Sequence, residues 1–219
     1  MTMRTLFEIT TGEEHLVAAR WLEGDEEKSY TFGDYKERAM AFAAYLADAI
    51  GAASRGRYVA IQMETSQNWF PAFWGVMAAG YQAILLDVNL SDEMTAYMLK
   101  QSGACALITR SARVLQDEVV QVLHESLLAA GPAKGFKPVW GTQVALCTSG
   151  TTDTSRIFVY DEEAICHQVL NSELLHGLNR GIVSAETERS LAFLPFHHVF
   201  GFMVNVLWSN FIGFENMFM

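Results

Sequence analysis

The sequence predicts an α/β fold of largely parallel sheets flanked by helices. Two observations carry this. Short apolar runs of strand length alternate with longer stretches of helical period, and glycines or capping residues punctuate most of the switches between them. The composition agrees: 51% of residues are hydrophobic and 18% charged, the balance of a chain that buries a core.

Thr31 and Asp34 have the spacing of a capping box, and Tyr35, Ala39, Phe42 and Leu46 then share one helical face that Gly51 ends. Arg57–Met63 reads as a buried strand. Ser66 is placed to cap a helix carrying Trp69, Phe70, Phe73, Trp74 and Met77, closed by Gly80. Tyr81–Asp87 is a strand, Ser91 opens a helix with Met94, Tyr97 and Met98 facing inward, and Gly103 closes it before the strand Ala104–Thr109. A further helix is expected over about Arg113–Ala129. Gly131–Thr142 holds three glycines and two of the four prolines, so it is the expected linker between a first unit, 1–130, and a second, 143–219. There Val144–Cys147 is a strand, Thr148–Arg156 a loop, Ile157–Tyr160 a strand, Asp161–His176 a helix, Ser190–Pro195 a strand and Val199–Phe211 an apolar helix. Phe214–Met219 reads as the start of another strand. An ending inside an apolar strand is the pattern expected of a fragment of a longer protein.

Charge narrows the function. A net charge of −10 with no basic stripe argues against nucleic-acid binding, which needs clustered Lys and Arg, and leaves a small molecule as the expected partner. Cys105, Cys147 and Cys166 form no CxxC pair, which suits a reducing cytoplasm, and the N-terminus lacks a signal-peptide core. The apolar segment Trp69–Leu86 is interrupted by Pro71, Gly75, Gly80 and Gln82, so a helix followed by a strand is expected there rather than a membrane span.

The densest chemical signal is Thr148–Arg156, TSGTTDTSR. Hydroxyls surround Gly150 directly after a strand, small residues let successive N–H groups converge on an anion, and Arg156 adds a planar cation suited to phosphate. Composition alone leaves a polar surface turn equally open, and the loop lacks the GxxxxGK[ST] pattern. The second signal is Leu194–Phe202, LPFHHVFGF, where a His at a helix N-terminus sits in positive potential and can meet a carboxylate or phosphate. The plainer reading is one packed histidine and one helix cap. A serine-hydrolase elbow fails because Cys147 stands where GxSxG requires Gly; GxGxxG is absent; and His197, His198, Cys166 and His167 have no recognised zinc spacing, so no metal residue is assigned.

Taken together, these segments resemble the acyl-adenylate-forming (AMP-binding) enzymes. TSGTT matches the start of the family signature [ST]SG[ST]TGxPKG; Asp153, Ser155 and Ile157 stand where Gly, Pro and Gly are usual, and Arg156 replaces Lys. FHHVFG resembles the second core motif, especially in the branch of luciferases, coumarate-CoA ligases and fatty acyl-CoA synthetases. Weaker likeness spans Tyr30–Leu46 and Trp74–Ile108, so that resemblance runs from about Ser29 to Met219, with little over Arg113–Gly141. It implies the incomplete N-terminal part of the adenylate-forming fold, from a ligase that converts a carboxylic acid and ATP, with Mg²⁺, into an acyl-adenylate and passes the acyl group to CoA or a carrier-protein thiol. Fatty acid metabolism is the implied setting. By the match, His198 is the catalytic histidine, Thr148, Ser149, Gly150, Thr151, Thr152 and Arg156 bind ATP phosphates, and His197, Phe200 and Gly201 belong to the substrate pocket. The family's Mg²⁺-binding Glu, ribose-binding Asp and lid Lys are not found in the 219 residues, so the chain alone is expected to be inactive. The alternative is a degenerate nucleotide-binding or scaffolding protein of the same fold, since the Asp153 carboxylate would repel phosphates unless Mg²⁺ or Arg156 compensates.

Overall fold

In a computed structural model, the chain is described at all positions except 114, 116–118, 124–125, 128–130, 132–133, 148–155 and 180–188. Its elements run α1 (Met3–Thr10), β1 (Val17–Glu23), β2 (Glu26–Thr31), α2 (Phe32–Ile50), β3 (Tyr58–Gln62), α3 (Trp69–Ala78), β4 (Gln82–Leu85), α4 (Asp92–Ser102), β5 (Ala106–Thr109), β6 (Val120–Leu123), β7 (Gln143–Cys147), β8 (Ile157–Asp161), α5 (Glu162–Leu178) and β9 (Arg189–Leu191). A terminal helical run, α6 (199–211), and β10 (Glu215–Met217) follow. Six strands form one sheet in the order β6-β5-β3-β4-β7-β8, parallel except for β8. Four form another, β2-β1-β10-β9, in which only the β1–β2 hairpin is antiparallel. The expected α/β class is thus observed.

Local rules explain the best-formed helices. The Thr31 hydroxyl accepts a hydrogen bond from the Asp34 N–H at 3.1 Å, and the Asp34 carboxylate accepts one from the Thr31 N–H at 2.7 Å, completing the capping box. Tyr35, Ala39, Phe42 and Leu46 are all buried. Their face meets α3, where a Cβ on Gly75 would lie 2.7 Å from the Phe42 ring, so glycine lets the two helices approach. All ten residues of α3 are buried, which is why its sequence is apolar all round. Among the described residues, no helix is long and apolar enough to cross a membrane.

Four expectations change. Ser66 does not cap α3 through its hydroxyl; Asn68 occupies the N-cap without a side-chain hydrogen bond, and Ser66 offers its carbonyl to the Trp69 N–H at 3.0 Å. In α4, Met94 and Tyr97 are exposed, while Thr95, Met98 and Leu99 are buried. A long-range hydrogen bond from Gln62 to the Thr95 hydroxyl, at 3.1 Å, accompanies that helical phase. The expected helix over Arg113–Ala129 contains β6 instead. Its valines favour the pleated edge beside β5, and the Gln121 side chain bonds the Arg113 backbone at both N–H and C=O, 2.7 and 2.8 Å.

The fourth concerns 131–142. Val139 and Gly141 donate to the carbonyls of Ala78 and Met77 at 2.9 and 2.7 Å, and Trp140 packs on Phe7 and Trp74. Strands from both sides of this segment share each sheet, so the division into 1–130 and 143–219 does not separate the sheets. The last strand is paired on both sides: β10 lies between β1 and β9, and Glu215 accepts from Arg20 at 2.6 Å.

Candidate functional site

The turn after β9 is built by residues that are themselves not chemical. Phe196 is buried edge-on against Trp69, with ring centroids 5.7 Å apart, and also meets Phe218. Gly201 presses on the same turn: a Cβ there would sit 2.2 Å from the Pro195 carbonyl oxygen. The Thr65 hydroxyl donates to the Leu194 carbonyl at 3.3 Å, and the His198 N–H donates to that of Pro195 at 3.1 Å. This packing presents the two histidines differently.

His198 is exposed and forms the N-cap of α6, its carbonyl accepting from the Phe202 N–H at 2.9 Å. No side-chain capping bond engages its ring, so the expected position at a helix N-terminus is observed. His197 is half-buried, with Nε2 3.6 Å from Oδ2 of Asp87 at the carboxyl end of β4. Burial pulls the His197 imidazole below its ordinary value; the Asp87 carboxylate opposes this and the neighbouring His198 adds to it.

Beyond the turn, α6 widens. Val199–Gly201 is α-helical, Phe202–Trp208 π-helical and Ser209–Phe211 α-helical. A buried polar network accompanies the change: the Asn210 side chain donates to the carbonyls of Asn205 and Val206 at 2.7 and 3.1 Å, and Asn205 donates to the Ser190 hydroxyl at 2.9 Å. Asn216 donates to the Asn210 side chain at 3.2 Å, tying α6 to β10.

Beside α6 lies a cleft of about 380 Å³, at the small end of ligand-pocket sizes. Val144 and Leu146 of β7 form one wall, Tyr160, Ala164, Ile165 and Gln168 another, and Val199, Phe200, Phe202 and Met203 the third. Among the described residues, no lining side chain is charged. Phe200, expected in the substrate pocket, is therefore in a cleft wall, while Gly201 shapes the turn and His197 faces Asp87.

Arg156 is exposed immediately before β8, whose first residue, Ile157, pairs with Cys147, the last of β7. The other phosphate-loop candidates, Thr148, Ser149, Gly150, Thr151 and Thr152, lie outside the described residues. Burial pushes the Cys147 thiol up to about 12, which disfavours the reactive thiolate. Among the described residues, no group of three or more His, Cys, Asp or Glu side chains could hold a metal ion. Reading the sequence alone missed Asp87 as a partner of His197 and the β7–β8–α5 walls of the cleft. The period-two pair Val144 and Leu146 was the available signal for one wall.

The family described as AMP-binding enzyme matches residues 10–219. The fold is similar to that of O-succinylbenzoate coenzyme A synthetase from Bacillus subtilis in complex with AMP, with TM-score 0.78 and 20% identity over 97% of this chain and 55% of that one. It is also similar to a fatty acyl-adenylate ligase from L. pneumophila in complex with acyl adenylate and pyrophosphate, with TM-score 0.77, 18% identity and coverage of 98% and 39%. For the Klebsiella oxytoca NpsA N-terminal subdomain the values are 0.80, 17%, 100% and 55%. The chain thus spans roughly two fifths to just over half the length of these three structures. Sequence comparison with curated proteins gives no match.

Proposed function

Because the chain belongs to the AMP-binding enzyme family, we propose that it is the N-terminal part of an ATP-dependent, carboxylate-activating ligase resembling acyl-CoA synthetases. In the proposed reaction a carboxylate oxygen attacks the α-phosphorus of ATP, the bond to the β-bridging oxygen breaks, and pyrophosphate leaves with the electron pair. A thiol, from CoA or a carrier protein, then attacks the acyl carbon and AMP departs. Negative charge accumulates around phosphorus, so positioning and cationic or N–H donors supply the rate.

Thr148, Ser149, Gly150, Thr151, Thr152 and Arg156 are the proposed cradle for the β- and γ-phosphates, with Mg²⁺ arriving on the nucleotide. Exposed His198 at a helix N-terminus is the proposed donor to the acyl carboxylate and α-phosphate. The observation that supports this most is the cleft, uncharged among its described lining residues, whose third wall starts at Val199, one residue past His198. Such a cleft would offer an apolar acid tail room beside a proposed donor for its head. The adenylates carried by the similar structures favour the same reading. The proposed setting is the cytoplasm, which would keep the three free cysteines reduced.

The alternative, a degenerate nucleotide-binding or scaffolding protein, draws on Asp153, Ser155 and Arg156 in the phosphate loop. Calorimetric titration with ATP and Mg²⁺ of the longest encoded polypeptide separates the two. Saturable binding together with acid-dependent ATP–pyrophosphate exchange is expected, and binding without exchange for any acid would favour the alternative. The 219-residue chain by itself is expected to give no exchange.

A further inference from the structure

Asp87 is fixed more firmly than a turn residue requires. Its carbonyl accepts from the buried Gln62 side chain at 2.8 Å. Its Oδ1 accepts from both the backbone and side-chain N–H groups of Asn89, at 2.9 and 3.0 Å. What remains is Oδ2, and it faces His197 Nε2 at 3.6 Å, within ion-pair range though longer than a direct hydrogen bond. Both side chains are partly withdrawn from water, His197 at 19% and Asp87 at 33% exposure, so their attraction is screened less than that of a surface pair. The pair also sits where ligands bind in parallel sheets, at the carboxyl end of β4 beside β7, whose Leu146 pairs with Leu85.

We infer that Asp87 is a positioning residue for His197: its anchored carboxylate holds the Nε2 edge of the imidazole and leaves Nδ1 as the edge presented elsewhere. A carboxylate of this kind selects the ring's tautomer and orientation without touching substrate. That Nδ1 serves the acyl or phosphate group rests on the functional reading above; the pairing itself does not. Among the described residues, the charged or titratable groups acting on the His197 ring are Asp87, from the turn after β4, and His198, its chain neighbour.

Long-range nitrogen–proton spectra of the histidine rings in the 219-residue protein test this, with His197→Asn assigning the signal. Neutral His197 is expected as the Nε2–H tautomer. Asp87→Ala should mix the tautomers and lower the titration midpoint, since an attractive carboxylate is lost; Asp87→Glu should restore both in part. An unchanged tautomer and midpoint in a folded Asp87→Ala protein would overturn the inference. Should that variant fail to fold, Asn89→Ala keeps the carboxylate and the backbone donor to Oδ1 but removes the side-chain donor, and is expected to loosen the tautomer preference; an unaltered ring would again count against the pairing. The spectra read the pair whether or not the protein makes adenylates, so the two readings fail separately.

Discussion

Helices α3 and α6 look alike in sequence, both apolar and both rich in aromatic residues, yet the fold uses them in opposite ways. Helix α3 is regular and buried on every side. Helix α6 is wound partly as a π-helix, buries Asn205, Ser209 and Asn210, and leaves Val199 and Phe200 exposed. Burying three polar side chains beside Phe202, Val206 and Leu207 costs desolvation that hydrogen bonds have to offset. The contrast teaches that apolar content separates core from surface poorly, and that the helix breaking the rule is the one beside the cleft.

The sharpest way to break the comparison is to truncate one phenylalanine from each helix. Phe73 is fully buried against Trp74 and Phe202, so Phe73→Ala should cost about 4 kcal/mol in urea unfolding. Phe200 is 60% exposed, and Phe200→Ala should change stability by no more than about 0.5 kcal/mol. Equal losses would mean that the two helices are not different in kind.

Next in size are the devices that shape the α6 turn. Gly201→Ala places a methyl against the Pro195 carbonyl and is expected to cost about 2–3 kcal/mol. Asn210→Ala removes the side-chain donors serving the Asn205 and Val206 carbonyls and should cost about 2 kcal/mol. If Asn210→Ala proves neutral by the same unfolding measurement, the polar network is incidental to the π-helical segment.

The smallest effect is titration of His197. Its folded value lies below its ordinary one, so the unfolded state binds the proton more readily. The contribution is therefore present above the ordinary histidine value of about 6.5 and is lost as pH falls from there through the folded value. Because the ring is only half-buried, this should stay below about 1 kcal/mol. His197→Asn should remove that slope from a pH series of unfolding midpoints.

These elements also show what a sequence can reveal. The capping box of Thr31 and Asp34 was legible because its partners are three residues apart, and the buried face of α2 because its period is local. The phase of α4 was not, since it accompanies a hydrogen bond between Thr95 and Gln62, thirty-three residues away. A helix was expected over β6 because its surroundings alternate glutamine, acid and leucine, and only pairing with β5 makes the valines a strand. At the site, PFHHVFG pointed to a histidine at a helix N-terminus, where His198 lies, but Asp87 meets His197 across the fold, and the cleft draws on β7, β8, α5 and α6 together. Both depend on contacts that no local pattern encodes.

The most direct test of the central claim, that the cleft beside His198 receives the apolar tail of an activated acid, is ATP–pyrophosphate exchange by the longest encoded polypeptide. Apolar alkyl or aryl acids should support exchange, and Phe200→Asp should raise their KM at least about tenfold, as one desolvated charge in the tail site would. Leu22→Asp, on the exposed end of β1, should leave KM unchanged. Exchange that is indifferent to Phe200→Asp, or that favours charged amino acids over apolar ones, would contradict the account.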